Sequence, residues 1–316
     1  MQIEFVGEKV IEIARDQTVL EASLRAGILH FHACGGKGKC TTCRIIVLEG
    51  EENLNKANKK ESKLTDSIHF PKSMRLACQT RIEKEPVKVE RIIKDEAEIS
   101  LYVKLNNRSS KAIALKPLGE EKYLVLFFLD IRDFTPFVET YLPFDVIYLT
   151  RKLFDIFYKA IIRFNGQIIE TAGDEVYAIF GLRSSISDAA DEAISAGRAI
   201  LEDLDNLNEK YLRVYFAKEF EIGIGIHAGK VIVGEFNFGS ERRTNVMGLA
   251  VNIASRIQDS TKELNNSFVV SEDVMRHSSS KETFEIREIN LRGVTSAYKL
   301  HLLGLPYKAL SLQHLH

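Results

Sequence analysis

Apolar and polar residues alternate from the start of the chain, over 2–6 and again over 9–13, which predicts two short strands joined at Gly7-Glu8. Thr18-Val19-Leu20-Glu21 then has the form of a capping box and opens a short helix that Gly27 closes. A strand follows at Ile45–Leu48 and another at Val87–Ile92. From Glu83 to Lys122 the pattern weakens and charge rises, with only Ile99, Leu101, Val103 and Leu105 alternating, as a strand or an element between domains would. Pattern returns at Tyr123–Leu129, a continuous apolar run of the kind a buried strand carries. A helical period covers Phe144–Phe164, with Leu149, Leu153, Ile156, Phe157 and Ile161 inward and Gly166 at its end. Next come a hairpin over Gln167–Phe180 turning at Gly173-Asp174, a helix over Ile186–Leu207, and a strand pair at Glu221–His227 and Gly229–Gly234. A short helix follows Gly248, then a strand at Ser267–Ser271. The expected organisation is a first domain over 1–95, a connector over 96–119, a second domain over 120–304 and a tail over 305–316.

Composition narrows the function classes. With 316 residues, 45% hydrophobic, 28% charged and a formal net charge of −1, the chain suits two ordinary globular domains and has no basic excess for nucleic acid. No apolar run approaches the roughly 20 residues that span a bilayer. Strand alternation begins at Gln2 without a signal-peptide pattern, so a cytoplasmic location is expected.

The four cysteines are clustered, and in a reducing compartment clustered cysteines favour metal ligation over disulfides. Cys34, Cys40, Cys43 and Cys78 are spaced C-x5-C-x2-C-x34-C, and three glycines lie in the first gap. Glycines let a loop wrap closely and turn its amides inward, where they stabilise thiolate and sulfide charge. Tetrahedral zinc is the competing reading, although zinc sites recruit cysteines as two close pairs, whereas three of these share one loop.

In the second half, a buried strand delivers Asp130 at its C-terminal end, a placement that suits a metal ligand. Asp174 stands in a hairpin turn, where a solvated aspartate is also commonplace. Asn252 and Arg256, at i and i+4, share one side of a helix, and together they can bind a sugar oxygen and a phosphate oxygen. Gly293 after Arg292 suggests a turn that aims the guanidinium outward. The isolated Gly223-x-Gly225 inside a strand is too weak for a dinucleotide fingerprint.

Residues 1–95 resemble the [2Fe–2S] ferredoxins in element order and cysteines, with the longer first gap of adrenodoxin-like proteins. That resemblance implies a β-grasp fold with Cys34, Cys40, Cys43 and Cys78 holding the cluster. Residues 120–304 resemble the class III nucleotidyl cyclases through FLDIRDFT, ETAGDEVYAIF, IGIHAGKVIVG, VMGLAVNIASR and LRGVTSAYKL, in that order. The fold class implied is α+β: a β-grasp domain followed by a ferredoxin-like α/β domain that works as a head-to-tail homodimer. Asp130 and Asp174, with the Ile131 carbonyl, would hold two divalent ions, magnesium or manganese, and the amides near Phe134 and Thr135 would meet the phosphates. Asn252 and Arg256 would reach in from the other subunit, for ribose orientation and transition-state charge, and Arg292 would bind the terminal phosphates in place of the usual Lys. Attack of the 3′-hydroxyl on the α-phosphorus calls for this set, because charge develops on phosphorus and on the leaving pyrophosphate.

The base-reading positions depart from the adenylate pattern of Lys with Asp or Thr and are Glu170 and Asn245. Glu accepts from guanine, and Asn serves either purine. ATP is expected and GTP is the alternative. The function expected is a redox-regulated cyclase served by an unknown redox partner. The alternatives are an electron-transfer module fused to a non-catalytic nucleotide-binding domain, and a zinc-stabilised binding protein.

Overall fold

The computed structural model describes residues 1–68, 70–71, 73–94, 119–238 and 241–308, in two compact units, Met1–Glu120 and Glu121–His316. The alternation at Ile99–Leu105 and nearly all of the expected connector lie outside the described residues.

Five strands build the first unit: β1 (Gln2–Phe5), β2 (Lys9–Glu12), β3 (Arg44–Glu49), β4 (Met74–Leu76) and β5 (Lys88–Arg91), in the sheet order β2-β1-β5-β3-β4. β1 and β5 run parallel at its centre and the other pairings are antiparallel, the mixed sheet of a β-grasp. Helix α1 (Val19–Arg25) starts on the capping box: Glu21 N–H donates to Thr18 Oγ1 at 3.2 Å and Thr18 N–H to Glu21 Oε2 at 2.8 Å. Such a cap stabilises a helix by about 1 kcal/mol. Val19, Leu20 and Ala22 of α1 share one core with Ile3, Phe5, Ile45 and Val89.

Helix α2 (Lys59–Ile68) was not foreseen, because KKESKLTDSI carries only two apolar residues, Leu64 and Ile68, to mark its inner face. Asn58 Oδ1 caps it, accepting from the amides of Lys60 and Glu61 at 3.0 Å each. An ion pair docks it: fully buried Glu61 receives Arg75 Nε and Nη2 at 3.0 Å each and the Leu76 amide at 2.7 Å.

The second unit is one sheet with helices against it. Its strands are β6 (Glu120–Ile131), β7 (Gln167–Ala172), β8 (Glu175–Phe180), β9 (Ile222–Phe238), β10 (Glu241–Met247), β11 (Phe268–Ser271), β12 (Glu285–Asn290) and β13 (Ala297–Leu302). They run in the order β12-β13-β11-β9-β6-β8-β7, with β10 paired to the far half of β9. Helices α3 (Phe134–Thr140), α4 (Pro143–Arg163) and α5 (Ile186–Leu207) come first. After a π turn at Asn208–Leu212 follow α6 (Arg213–Phe216), α7 (Leu249–Glu263) and α8 (Glu272–Met275). Leu149, Leu153, Phe157 and Ile161 of α4 are fully buried with Phe127, Phe180 and the alanines of α5 in the main core.

After β6 a tight turn at Arg132-Asp133 reverses the chain, with Asp133 at φ 53°, and Phe134–Pro136 form the first turn of α3, where Pro136 needs no N–H. The expected strand pair over 221–234 is a single strand, β9. Its glycines make room for a helix rather than a bend. A Cβ at Gly225 would lie 2.3 Å from the Gln258 amide nitrogen, one at Gly223 2.4 Å from Thr261 Oγ1, and one at Gly229 2.6 Å from Ala250 Cβ. All three contacts are with α7, which lies directly on the backbone of β9.

Candidate functional site

β6 ends by carrying Asp130 out of the core, and the β7–β8 turn brings Asp174 beside it on Gly173 (φ 63°). Burial raises the Asp130 carboxyl to about 6; the adjoining Asp174 carboxylate pushes the same way, and Lys262 opposes both. Lys262 Nζ, from the last turn of α7, stands 3.6 Å from Asp130 Oδ2. Glu175 is also raised, first by burial and then by Asp130, Asp259 and Glu170. Acids held this close repel one another, and either a proton or a bound cation relieves the repulsion.

Among the described residues no three His, Cys, Asp or Glu side chains close into a cage for one ion. Two carboxylates with the neighbouring Ile131 carbonyl are the donor set of an open site, in which water and phosphate oxygens complete the shell of a magnesium-type ion. The residues therefore fit divalent ions.

The raised carboxyl has a stability consequence. Folded protein holds the Asp130 proton more tightly than unfolded protein does, so stability is lost as pH rises from the ordinary carboxylate range through about 6. In EDTA, Asp130→Asn should stabilise the second unit at pH 7.5 by about 1–2 kcal/mol, a figure reduced for partial exposure, and by little at pH 4. Thermal melts at the two pH values read this directly. A gap that does not widen with pH means the two carboxylates do not interact.

Asn252 and Arg256 lie on the exposed side of α7, while Ile253, Ala254 and Ile257 are buried. Arg256 Nη1 pairs with Asp259 Oδ2 at 2.8 Å. Among the described residues no hydrogen bond or ion pair joins Asn252 or Arg256 to Asp130 or Asp174. The chain thus brings the two aspartates together and keeps the Asn–Arg pair apart from them. Phe134 and Thr135 open α3, where the first N–H groups of a helix have no acceptor within it. Glu170 is exposed on β7, and Asn245 is half-buried on β10 opposite Gly234 of β9. Arg292 is exposed in the turn between β12 and β13, next to Gly293 (φ 77°). Sequence reasoning missed Lys262, Asp259 and Glu175. Glu175 adjoins Asp174 and was within reach, whereas the other two depend on where α7 lies.

In the first unit the four thiols pair two by two. The neighbouring Cys40 thiol pulls the Cys34 thiol down to about 4 and the neighbouring Cys43 thiol pulls Cys78 to about 7, while Cys40 and Cys43 are raised. Backbone amides of Gly36, Lys37 and Lys39 also lower Cys34, and the Gly38 amide lowers Cys78. Gly35, Gly36 and Gly38, with φ of 69°, 76° and 65°, let the loop make that turn. A ring of amides around four thiols suits the extra negative charge of an iron–sulfur cluster better than a single zinc ion, which would itself balance the thiolates. Gln79, also missed, donates from Nε2 to Cys78 Sγ at 3.2 Å and accepts from Asn58 Nδ2 at 2.9 Å.

The two units match two known families. Residues 119–303 match the adenylate and guanylate cyclase catalytic domain, and residues 4–83 match the 2Fe-2S iron-sulfur cluster binding domain. The chain belongs to the adenylate and guanylate cyclase family, with a ferredoxin-type domain ahead of its cyclase domain. An adenylate cyclase of Anabaena cylindrica is 30% identical over 171 residues, which are 53% of this chain and 33% of that protein. Adenylate cyclase 1 of Rhizobium meliloti (strain 1021) is 31% identical over 144 residues, 46% of this chain and 22% of that protein. The chain therefore spans a third or less of the length of these curated relatives. Among solved structures, the guanylyl cyclase Cya2 aligns at 22% identity with a TM-score of 0.54, covering 61% of this chain and 97% of its own. The adenylyl cyclase CyaB from P. aeruginosa aligns at 23% identity with a TM-score of 0.52, covering 61% and 98%. At these identities the likeness establishes the fold of the second unit. No helix among the described residues is long and apolar enough to cross a membrane.

Proposed function

We propose that the chain converts a nucleoside triphosphate, ATP in preference to GTP, into a 3′,5′-cyclic nucleotide and pyrophosphate in the cytoplasm, and that a [2Fe–2S] cluster on Cys34, Cys40, Cys43 and Cys78 sets the rate. The observation that carries this reading is the close Asp130–Asp174 pair, with Asn252 and Arg256 exposed on α7 and out of its reach. A head-to-tail homodimer completes the site by placing one chain's aspartates opposite its partner's Asn–Arg pair.

Divalent ions on Asp130, Asp174 and the Ile131 carbonyl would acidify the 3′-hydroxyl and neutralise the departing pyrophosphate. The chain's own groups do the rest. Asn252 orients the ribose so that its 3′-oxygen lies in line with the leaving oxygen. Arg256 neutralises charge developing on the α-phosphorus, and being planar and always charged it needs no proton rearrangement. The Phe134 and Thr135 amides and Arg292 hold the outer phosphates. Glu170 and Asn245 read the base. ATP is favoured because the adenylate cyclases of Anabaena cylindrica and Rhizobium meliloti are relatives of this chain. Glu170, a natural acceptor for guanine N1–H and the 2-amino group, keeps GTP as the second reading.

Turnover of ATP and GTP in manganese, measured side by side with the cluster oxidised, reduced and removed, tests both halves of the reading. ATP should exceed GTP, and the three cluster states should differ. Equal rates in all three states would make the cluster structural, and no product from either nucleotide would leave a binding domain. The purified protein should be red-brown, whereas a zinc protein is colourless.

A further inference from the structure

Lysines gather around the cysteine loop of the first unit. Lys37 and Lys39 are exposed on the loop itself, and Lys56, Lys59, Lys60 and Lys63 are exposed just before α2 and along it. Their closeness is set by packing: a Cβ on Gly38 of the loop would lie 3.5 Å from Lys60 Cβ. Among the described residues, Lys37, Lys56, Lys59, Lys60 and Lys63 form no ion pair. Of the two acids of α2, Glu61 is turned inward and spent on Arg75, which leaves Asp66 as the helix's exposed acid. Lys37, Lys59, Lys60 and Lys63 therefore make a positive face on a chain whose overall formal charge is −1, while Lys56 at its margin shares a cleft with Glu51, Glu52 and Glu83.

This face lies at the edge where a cluster comes nearest to solvent. Cys34 and Cys40, on the lysine-bearing loop, are half-buried, whereas Cys43 and Cys78 are buried. Two hydrogen bonds also connect α2 to a sulfur, from Asn58 to Gln79 at 2.9 Å and from Gln79 to Cys78 Sγ at 3.2 Å. Positive potential at that edge speeds the approach of a negative partner and orients it, and both effects weaken with salt.

We propose that the lysine face of α2, with Lys37, is the docking surface for an acidic flavoprotein that reduces the cluster. The inference rests on the [2Fe–2S] reading above. One electron passes in the complex: an anionic reduced flavin loses it and keeps its proton, and one of two ferric ions becomes ferrous. RNA and anionic membranes also bind lysines, but neither gains from lying against the exposed edge of a redox centre.

Stopped-flow mixing of the full, cluster-loaded chain with flavodoxin hydroquinone, an acidic one-electron donor, follows bleaching of the visible band. The rate should fall about tenfold from low to high ionic strength. The variant K56E/K59E/K60E/K63E should lose about tenfold at low salt, keep its visible spectrum and react at an unchanged or faster rate with cationic methyl viologen radical. The salt series on the native chain needs no variant, so a folding defect cannot decide the result. A flavodoxin rate indifferent to both salt and charge reversal overturns the docking surface. So does a variant that loses only binding to phosphatidylserine vesicles or to RNA. A chain purified without any [2Fe–2S] absorption overturns the cluster reading as well, and by a different signal.

Discussion

Asp174→Ala should reduce cyclic nucleotide formation by about a thousandfold or more, and Arg256→Ala should do likewise. Mixed one to one, the two chains should regain about a quarter of native activity, because in the proposed homodimer half the dimers would be heterodimers with one intact site of two. The reasoning follows from which residues each chain brings together. Asp130 and Asp174 touch within one chain, whereas Arg256 pairs with its neighbour Asp259 and is joined to neither aspartate. In the heterodimer one cleft receives both lesions, and the other receives native aspartates from the Arg256→Ala chain and a native Arg256 from the Asp174→Ala chain. Product assayed by chromatography across a mixing series should peak at equal amounts. A series that stays at background throughout would place the whole site within a single chain.

Glu61→Ala should cost the first unit about 3–5 kcal/mol, the usual consequence of removing one partner of a buried ion pair. Arg75, only 8% exposed, is left charged without its carboxylate, and the Leu76 amide loses its acceptor. The damage lies close to the cysteines. Arg75 and Leu76 belong to β4, and Cys78 follows two residues later, so loosening α2 from β4 also loosens one thiol of the set. Denaturant titration followed by the visible band should show an early loss of colour in this variant, and a smaller shift for an exposed control such as Lys63→Ala. If Glu61→Ala melts with the native midpoint, α2 is not held by this pair.

What the sequence made legible was whatever is written within one turn or one hairpin. The Thr18–Glu21 capping box, the inner face of α4 and the Gly173-Asp174 turn each carry their own local signal, and each formed as expected. The motif order placed Asp130 and Asp174 in one domain, and the fold set them side by side. Features that depend on distant partners stayed hidden. α2 is held by Glu61 reaching Arg75, and nothing in its own ten residues announces that. Lys262 meets Asp130 only because α7 lies along β9, and Gln79 links Asn58 to Cys78 only once the loop has closed. The glycines of β9 were misread for a related reason. At the level of pattern a glycine that admits a helix looks the same as one that ends a strand.

Those glycines also constrain how any signal can reach the chemistry. Between most helices and sheets lies a layer of side chains that can shift rotamers and so absorb small displacements. At Gly223 and Gly225 that layer is missing, since even a methyl group would collide with Gln258 or Thr261. α7 and β9 should therefore move as one unit. It carries Asn252 and Arg256 on the helix and, through the β9–β10 ladder, Asn245 opposite Gly234. With Asn252, Arg256 and Asn245 in their proposed roles, a regulator cannot tilt α7 while leaving base recognition where it was. In the proposed homodimer it would have to swing both together against the other chain's aspartates, so control of rate and grip on the base should rise and fall in step.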